Sequence, residues 1–391
     1  MSTLDKIGKP VRYNPPVGLL EFMRQVGNPS LINMGAGVPD PALLPQKALM
    51  AAFSHANKKY GGSMWAYQTP EGHMGLRGQI AKRLAKRGVR IEAGSIILTS
   101  GCTQALKLAI SAVAGKGDVV ACESPGYYNL LEQIHEAGAK VLPLPIDMNK
   151  GLLLAEAEPL LRKYRPKCLV VCSSLSNPTG ATLSQIARKE LLKLCVKLGI
   201  VVIEDDIYAE LVNDGAPKPI LSHANANDQV IHVTSFCKSA SPGLRVGYIV
   251  PGKWFEKVAR MKCNTDLHSS VVSEAILASF LELGSFDRHL QKLRVLCQQR
   301  REIVRDGLAR YFPKGTKVSN PQGGFLIWAE LPFAVDLKAW AQRSIAAGVS
   351  FAQGEAFLTV QASNGCLRLN CVRAKKQDLI KGIRLMADCI R

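Results

Sequence analysis

The sequence predicts an α/β protein: a large unit built on a mostly parallel seven-stranded sheet between helices, followed by a smaller α+β unit. Three observations carry this. Between about residues 45 and 284, short apolar runs alternate with amphipathic segments. Those runs are apolar at consecutive positions, as expected of strands covered by helices on both faces. Beyond them a long, charged, periodic segment precedes runs that read as an antiparallel sheet. The 391 residues suffice for two or three domains, and 47% hydrophobic with 21% charged residues excludes disordered and fibrous compositions.

Residues 1–44, which include GAGVPDPALLP, read as an extended arm belonging with the smaller unit, because Gly and Pro break regular structure. The large unit, 45–284, draws its strands from SIILTS, DVVACES, KVLPLPI, CLVVCSS, GIVVIEDD, QVIHVTS and VGYIV. Lys82, Arg83, Lys86 and Arg87 recur at helical spacing beside Ile80, Leu84 and Val89, which predicts a helix whose basic face is solvated. The segment from Ser285 to Arg310 predicts a long helix leading into the smaller unit, 285–391. There KVSNPQGGFLIWAEL and CLRLNCV read as antiparallel strands around helices near Lys338 and Asp378.

Fifty Lys and Arg against 31 Asp and Glu give a formal charge of +19. Such a field can recruit a phosphate-bearing substrate, nucleic acid or membrane, or serve solubility alone. No aromatic residues are interleaved with the basic run at 82–87, so a base-stacking platform is not expected. Eleven cysteines without a close CxxC pair argue against a zinc site or disulfide framework. Cys168 and Cys172 sit in an apolar run, where thiols act as small hydrophobes, and the cytoplasm is the expected compartment. Neither a signal core nor an apolar stretch of about 18 residues is present, so no membrane span is expected.

Four segments carry chemistry. In TSFCKSASPGLRVGY, Lys238 follows an apolar strand among small residues, with Arg245 seven positions on. A lysine so placed can have a lowered pKa and form imines, although a lysine on a Ser-rich turn can equally be exposed. In VVIEDDIYAEL a buried strand runs into Glu204, Asp205 and Asp206, with Tyr208 just beyond. A buried carboxylate needs a cation, and a protonated pyridine nitrogen would serve; acids at a helix start are the alternative. SSLSNPTGATLS places Asn177 at the same sheet edge, where its amide can donate to a phenolic oxygen, or simply start a turn. ILTSGCTQALKLAI reads as strand, small-residue turn and helix, a geometry that suits phosphate; it is not a Walker loop, and GAGVPD is not a dinucleotide fingerprint.

In this order these segments resemble the fold-type I pyridoxal-phosphate enzymes, specifically class I/II aminotransferases, in the branch of aminoadipate and kynurenine aminotransferases and the aminotransferase-like domain of MocR regulators. The resemblance runs from GAGVPDPALLP to CLRLNCV. It implies that Lys238 holds pyridoxal 5′-phosphate as a Schiff base and then moves the proton between substrate Cα and cofactor. It gives Asp205 to the pyridinium nitrogen, and Asn177 and Tyr208 to the phenolic oxygen. Gly101, Cys102 and Thr103 would cup the phosphate, with Ser235 and Arg245 as side-chain partners, and Tyr127 would stack on the ring. Tyr67 would reach the phosphate of a neighbouring subunit, which implies a homodimer with shared active sites. Arg368 would clamp the substrate α-carboxylate beside Gly37 and Asn177, a bidentate task suited to guanidinium; otherwise it forms a strand-edge salt bridge. Cys102 and Cys237 stand where the branch commonly has Ser, so two phosphate-side hydroxyls are replaced by weaker donors, and Gln353 replaces a common Pro.

The implied reaction is amino transfer from an L-amino acid to a 2-oxo acid. The alternative on the same scaffold is elimination or replacement at Cβ or Cγ of S-adenosylmethionine or a related amino acid, where an anionic nucleotide-like co-substrate would give the +19 charge a use. A DNA-binding regulator is not expected, because the resemblance begins within about the first 30 residues and leaves no room for a winged helix ahead of it. Trp65, Tyr128, Asn264 and His268 are candidate neighbours of the substrate side chain.

Overall fold

The computed structural model describes residues 9–13, 28, 30–223, 229–359 and 365–390, so much of the expected N-terminal arm lies outside the described residues. The strands are β1 (Ile32–Asn33), β2 (Ile97–Thr99), β3 (Val119–Ser124), β4 (Lys140–Asp147), β5 (Gly151–Leu152), β6 (Cys168–Val171), β7 (Val201–Asp205), β8 (Val230–Ser235) and β9 (Gly247–Val250), then β10 (Lys317–Val318), β11 (Leu326–Glu330), β12 (Val349–Ser350), β13 (Ala352–Gln353) and β14 (Cys366–Asn370). The helices are α1 (Gln46–Tyr60), α2 (Met74–Lys86), α3 (Cys102–Val113), α4 (Tyr128–Glu136), α5 (Leu154–Tyr164), α6 (Gln185–Leu198), α7 (Phe255–Asp266), α8 (Val271–Glu282), α9 (Ser285–Tyr311), α10 (Leu337–Ala346) and α11 (Leu379–Asp388). Their ends follow local chemistry. Ser184 caps α6 by accepting from Ala187 N at 3.1 Å, and Gly199 ends it in the left-handed region.

The large sheet has the order β2-β9-β8-β7-β6-β3-β4-β5, with β8, β7, β6, β3 and β4 parallel. β9 runs antiparallel to both β2 and β8. The sheet thus has eight strands rather than the expected seven. The extra one, β5, is a two-residue antiparallel return on β4, too short to leave an apolar run in the sequence. Alternate residues of each strand feed two separate cores: Leu169 and Val171 enter one, Cys168 and Val170 the other. That is the physical content of strands apolar on both faces.

A four-stranded antiparallel sheet, β10-β11-β14-β13, forms beside a third core containing Trp340, Leu367, Leu369 and Ile383. Helix α9 joins the cores: Phe286, Leu290 and Leu293 belong to the first, Val304 and Leu308 to the third. Its 27 residues span about 40 Å. The arm touches the large sheet and forms a separate two-stranded sheet with β12. Val11 bridges to Val141 of β4, and β1 pairs in parallel with β12.

One expectation about α2 is corrected. Lys82 and Lys86 are exposed, but Arg83 and Arg87 turn inward. Arg83 bridges Glu210 at 3.0 Å and Asp287 at 2.8 Å across the Phe286 ring, while Arg87 meets the buried Asp206 at 2.6 Å. These acids lie more than a hundred residues away in sequence, so helical spacing could not reveal them. Removing one partner of a buried pair leaves a charge without compensation. R87M is expected to lose about 3–5 kcal/mol in urea denaturation, whereas K86M at the exposed neighbour changes stability by no more than about 0.5 kcal/mol.

Candidate active site

The C-terminal ends of the parallel strands converge on a cavity of about 420 Å³. The three acids after β7 are treated differently. Glu204 accepts from Ser173 Oγ, Ile220 N and His232 Nδ1 at 2.6, 2.8 and 3.2 Å, and faces Arg188 at 3.5 Å. Burial alone would push its pKa up, yet the His232 bond and the Arg188 charge hold it below the usual carboxylate range. Asp206 accepts from Ser174 Oγ at 3.0 Å and pairs with Arg87. Asp205 alone faces the cavity, and its Oδ1 receives only Ile207 N at 3.1 Å and the Cys102 thiol at 3.5 Å. Burial raises its pKa to about 6 against those two donors, and among the described residues it has no ion pair.

Lys238 follows β8 in a turn, and its Nζ donates to Gly37 O at 2.6 Å. Burial lowers its pKa to about 8; Cys237 opposes the shift, while Arg368 and Arg245 add to it. Gly101 opens α3 with φ +86°, where a Cβ would lie 2.8 Å from Arg245 Nη2. Glycine therefore lets the Arg245 guanidinium lie against the helix N-terminus, with Nη2 donating to Ser100 O at 3.0 Å and Nη1 to Cys237 Sγ at 3.4 Å. A helix start and a guanidinium on one side of the cavity form an anion cradle.

On the opposite wall Arg368 stands in β14 between β11 and β13. It is 1% exposed and forms no ion pair among the described residues, so the expected alternative of a strand-edge salt bridge is absent. Its Nη1 donates to Asn177 Oδ1 at 2.9 Å, Nη2 donates to Gly35 O, and its carbon lies 4.8 Å from the Phe357 ring centre. A Cβ on Gly37 would sit 3.5 Å from the guanidinium, so glycine keeps that face open.

Of the residues singled out in the sequence, Gly37, Cys102, Thr103, Tyr127, Asn177, Asp205, Tyr208, Lys238, Arg245 and Arg368 line this one cavity, with Tyr128. Others do not. Ser235 spends its hydroxyl on Val246 O at 2.9 Å and accepts Cys237 N at 3.1 Å. The Cys102 thiol points at Asp205, not into the anion cradle with Arg245. Tyr67 is 83% exposed and stands edge-on to His268, with Trp65 and Asn264 also on the surface. Cys172, read as core, lines the cavity. The sequence reading missed Glu123, a buried acid in the lining at the end of DVVACES. An acid ending an apolar strand run was the signal that drew attention to Asp205, and it would have found Glu123 as well.

Comparison with known proteins gives the class. The family model for aminotransferase class I and II matches residues 29–382, and the chain belongs to that family. The kynurenine aminotransferase of Pyrococcus horikoshii, solved with PMP, KYN and KYA, superposes with TM-score 0.89 at 27% identity, covering 100% of this chain and 96% of that one. The α-aminoadipate aminotransferase LysN of Thermus thermophilus, solved with N-(5′-phosphopyridoxyl)-L-leucine, gives 0.86 at 28% identity and 94% coverage of both chains. The uncharacterized HTH-type transcriptional regulator YjiR of Escherichia coli is 28% identical over 385 residues, 98% of this chain and 82% of that protein. The protein is a pyridoxal-phosphate-dependent transferase of fold type I. The residues present fit that cofactor, since a buried acid without a cation, an amine of lowered basicity and an anion cradle share one cavity.

Only the neutral amine attacks an aldehyde, and a lowered pKa enlarges its neutral fraction near pH 7. The rate at which the apoprotein takes up pyridoxal phosphate should therefore rise with pH through about 8. A midpoint near the ordinary lysine value of 10.5 would contradict the burial of this amine.

Proposed function

We propose that this chain transfers an amino group from an L-amino acid to a 2-oxo acid with Lys238 as the reacting base, working as a homodimer. One observation carries the reading: Lys238 shares one cavity with an acid and an arginine that are both buried and both without an ion pair among the described residues. Arg368 offers its guanidinium to the substrate α-carboxylate, with Asn177 bracing one edge and Gly37 leaving the approach clear. Lys238, freed from the carbonyl of Gly37, takes the proton from substrate Cα and returns it on the cofactor side, a transfer that contributes about 10²–10⁴-fold. Pyridoxal phosphate, when bound, supplies the electron sink that accepts the electrons left at Cα.

Asp205 would pair with the ring nitrogen, so that the buried carboxylate gains the cation it lacks. Tyr208 and Asn177 would serve the ring oxygen and Tyr127 the ring face. Gly101, Cys102, Thr103 and Arg245 would hold the phosphate. Support for the dimer comes from exposed large apolar side chains, Trp65 at 67% and Tyr67 at 83% exposure with Met74 and Leu267, which a second copy would cover. The division into an arm to residue 44, a large unit to 284 and a smaller unit beyond is supported by the separate cores. Eleven free thiols suit a reducing compartment, the cytoplasm.

The test is an absorbance spectrum of the purified protein during addition of single amino acids, S-adenosylmethionine included, with no oxo acid present. Conversion of the bound aldehyde form to the amine form by one donor is expected and identifies that donor; product formation without that conversion would assign elimination or replacement at Cβ or Cγ instead. K238A should keep the fold and lose turnover. R368K, which removes a bidentate partner, should raise KM for the amino donor about 10–100-fold, in line with the loss of a charged hydrogen bond.

A further inference from the structure

Glu123, the penultimate residue of β3, lines the cavity and is 5% exposed. Its Oε2 accepts from Cys172 N at 2.9 Å and from Ser176 Oγ at 3.2 Å. Its Oε1 is buried with no hydrogen-bond partner. Both groups it holds belong to the turn that leaves β6 and ends in Asn177. Asn177 in turn receives Arg368 on the other sheet. A single line of contacts therefore runs from the end of β3, through residues 172–177, to β14.

The chain around Glu123 is tightly set. A Cβ at Gly126 would lie 2.3 Å from the carbonyl oxygen of Glu123, so the backbone reverses directly behind the strand end. The turn it grips is closed on itself by Gly180 N to Ser176 O at 2.6 Å and Ser176 N to Ala181 O at 2.8 Å. An apolar residue at 123 would leave the Cys172 amide and the Ser176 hydroxyl without their acceptor, and the turn without its tie to the sheet. Burial pushes the Glu123 pKa up to about 7, with the two donors opposing and Asp205 adding. Placing a carboxyl there is unfavourable in itself, and what it secures is the position of Asn177.

We propose that Glu123 is a positioning residue of the substrate clamp: it anchors the 172–177 turn so that Asn177 gives its side-chain oxygen to Arg368 and keeps its amide nitrogen for the cavity. This rests on the reading that Asn177 and Arg368 serve cofactor and substrate. Glu123 acts through them and needs no contact with the reacting atoms.

The experiment compares holoenzyme carrying E123Q, E123A, N177A and the double variant E123A/N177A. Two quantities are read: KM against kcat for the amino donor, and the pH midpoint of the bound cofactor's visible band. E123A should raise KM about tenfold with a smaller change in kcat, and should move the spectral midpoint in the same direction as N177A. The double variant should be no worse than N177A alone, because the two residues act in series. E123Q, whose amide oxygen still accepts from Cys172 and Ser176, should restore parent KM and midpoint.

Parent-like values for E123A, effects that add to those of N177A, or an E123Q as impaired as E123A would each overturn the proposal. The last result would assign the role to charge rather than to the tie. If N177A itself left KM and spectrum unchanged, the reading of Asn177 would fall first and the proposal with it. Should E123A fail to fold, S176A, which removes one of the two donors, must reproduce the direction of both shifts.

Discussion

Charge held out of water without an internal partner is the constraint on which this site depends. Buried ions in folded proteins are normally paired, because desolvating an isolated charge costs several kcal/mol. Several here are: Glu204 has Arg188 and His232, and Asp206 has Arg87. Asp205 and Arg368 have no ion pair among the described residues, and both line the cavity. Their unmet demand is complementary to a cationic ring nitrogen at one end and a carboxylate at the other. The paired acids on either side of Asp205 matter for the same reason. By neutralising its sequence neighbours, Arg188 and Arg87 keep the only unmatched carboxyl of the EDD run at the position where a ligand can reach it.

The fold supplies this arrangement by topology. Parallel strands deliver their C-terminal residues to one edge, so Glu123, Asp205 and Lys238 arrive at the cavity from β3, β7 and the turn after β8. The second sheet brings Arg368 on a central strand flanked by β11 and β13, where its backbone is fixed on both sides. Helix α9 runs through both cores, and the arm bridges to β4 and, through Met34 O, receives Asn370 N of β14, so the two walls are held by covalent continuity as well as packing. The Lys238 bond to Gly37 O and the Asn177 bond to Arg368 then close the cavity across the two sheets.

Some of this was legible in the sequence, and the division has a physical logic. Alternation of apolar runs identified the sheet, since two-sided burial leaves a continuous signal in each strand. Only β5, with two residues, escaped it. Lys238, Asp205 and Asn177 stood out because a polar group at the end of a buried strand is costly and local sequence shows both the strand and the polar group. Where the partner is remote, the same logic failed. Arg83 and Arg87 read as a wet helical face because Glu210, Asp287 and Asp206 are distant in the chain. The resemblance gave Cys102 to the phosphate cup with its thiol as a weak donor, and the fold turns that thiol to Asp205, a partner remote in the chain. The resemblance gave Ser235 to the phosphate, and in the fold its hydroxyl donates to Val246 O and accepts from Cys237 N.

The sequence by itself determined the fold class, the order of the strands along the chain, and the identity of the polar groups at their ends, because hydrophobic period and strand-end placement are local properties. Only the tertiary structure decided which of those groups lack a partner. Whether a buried carboxyl or guanidinium is satisfied depends on what packs against it from other strands and from the second sheet, and that is set by the closure of the whole fold. Adjacent acids therefore diverge: Glu204 and Asp206 are structural ions, while Asp205, between them, is left for a ligand.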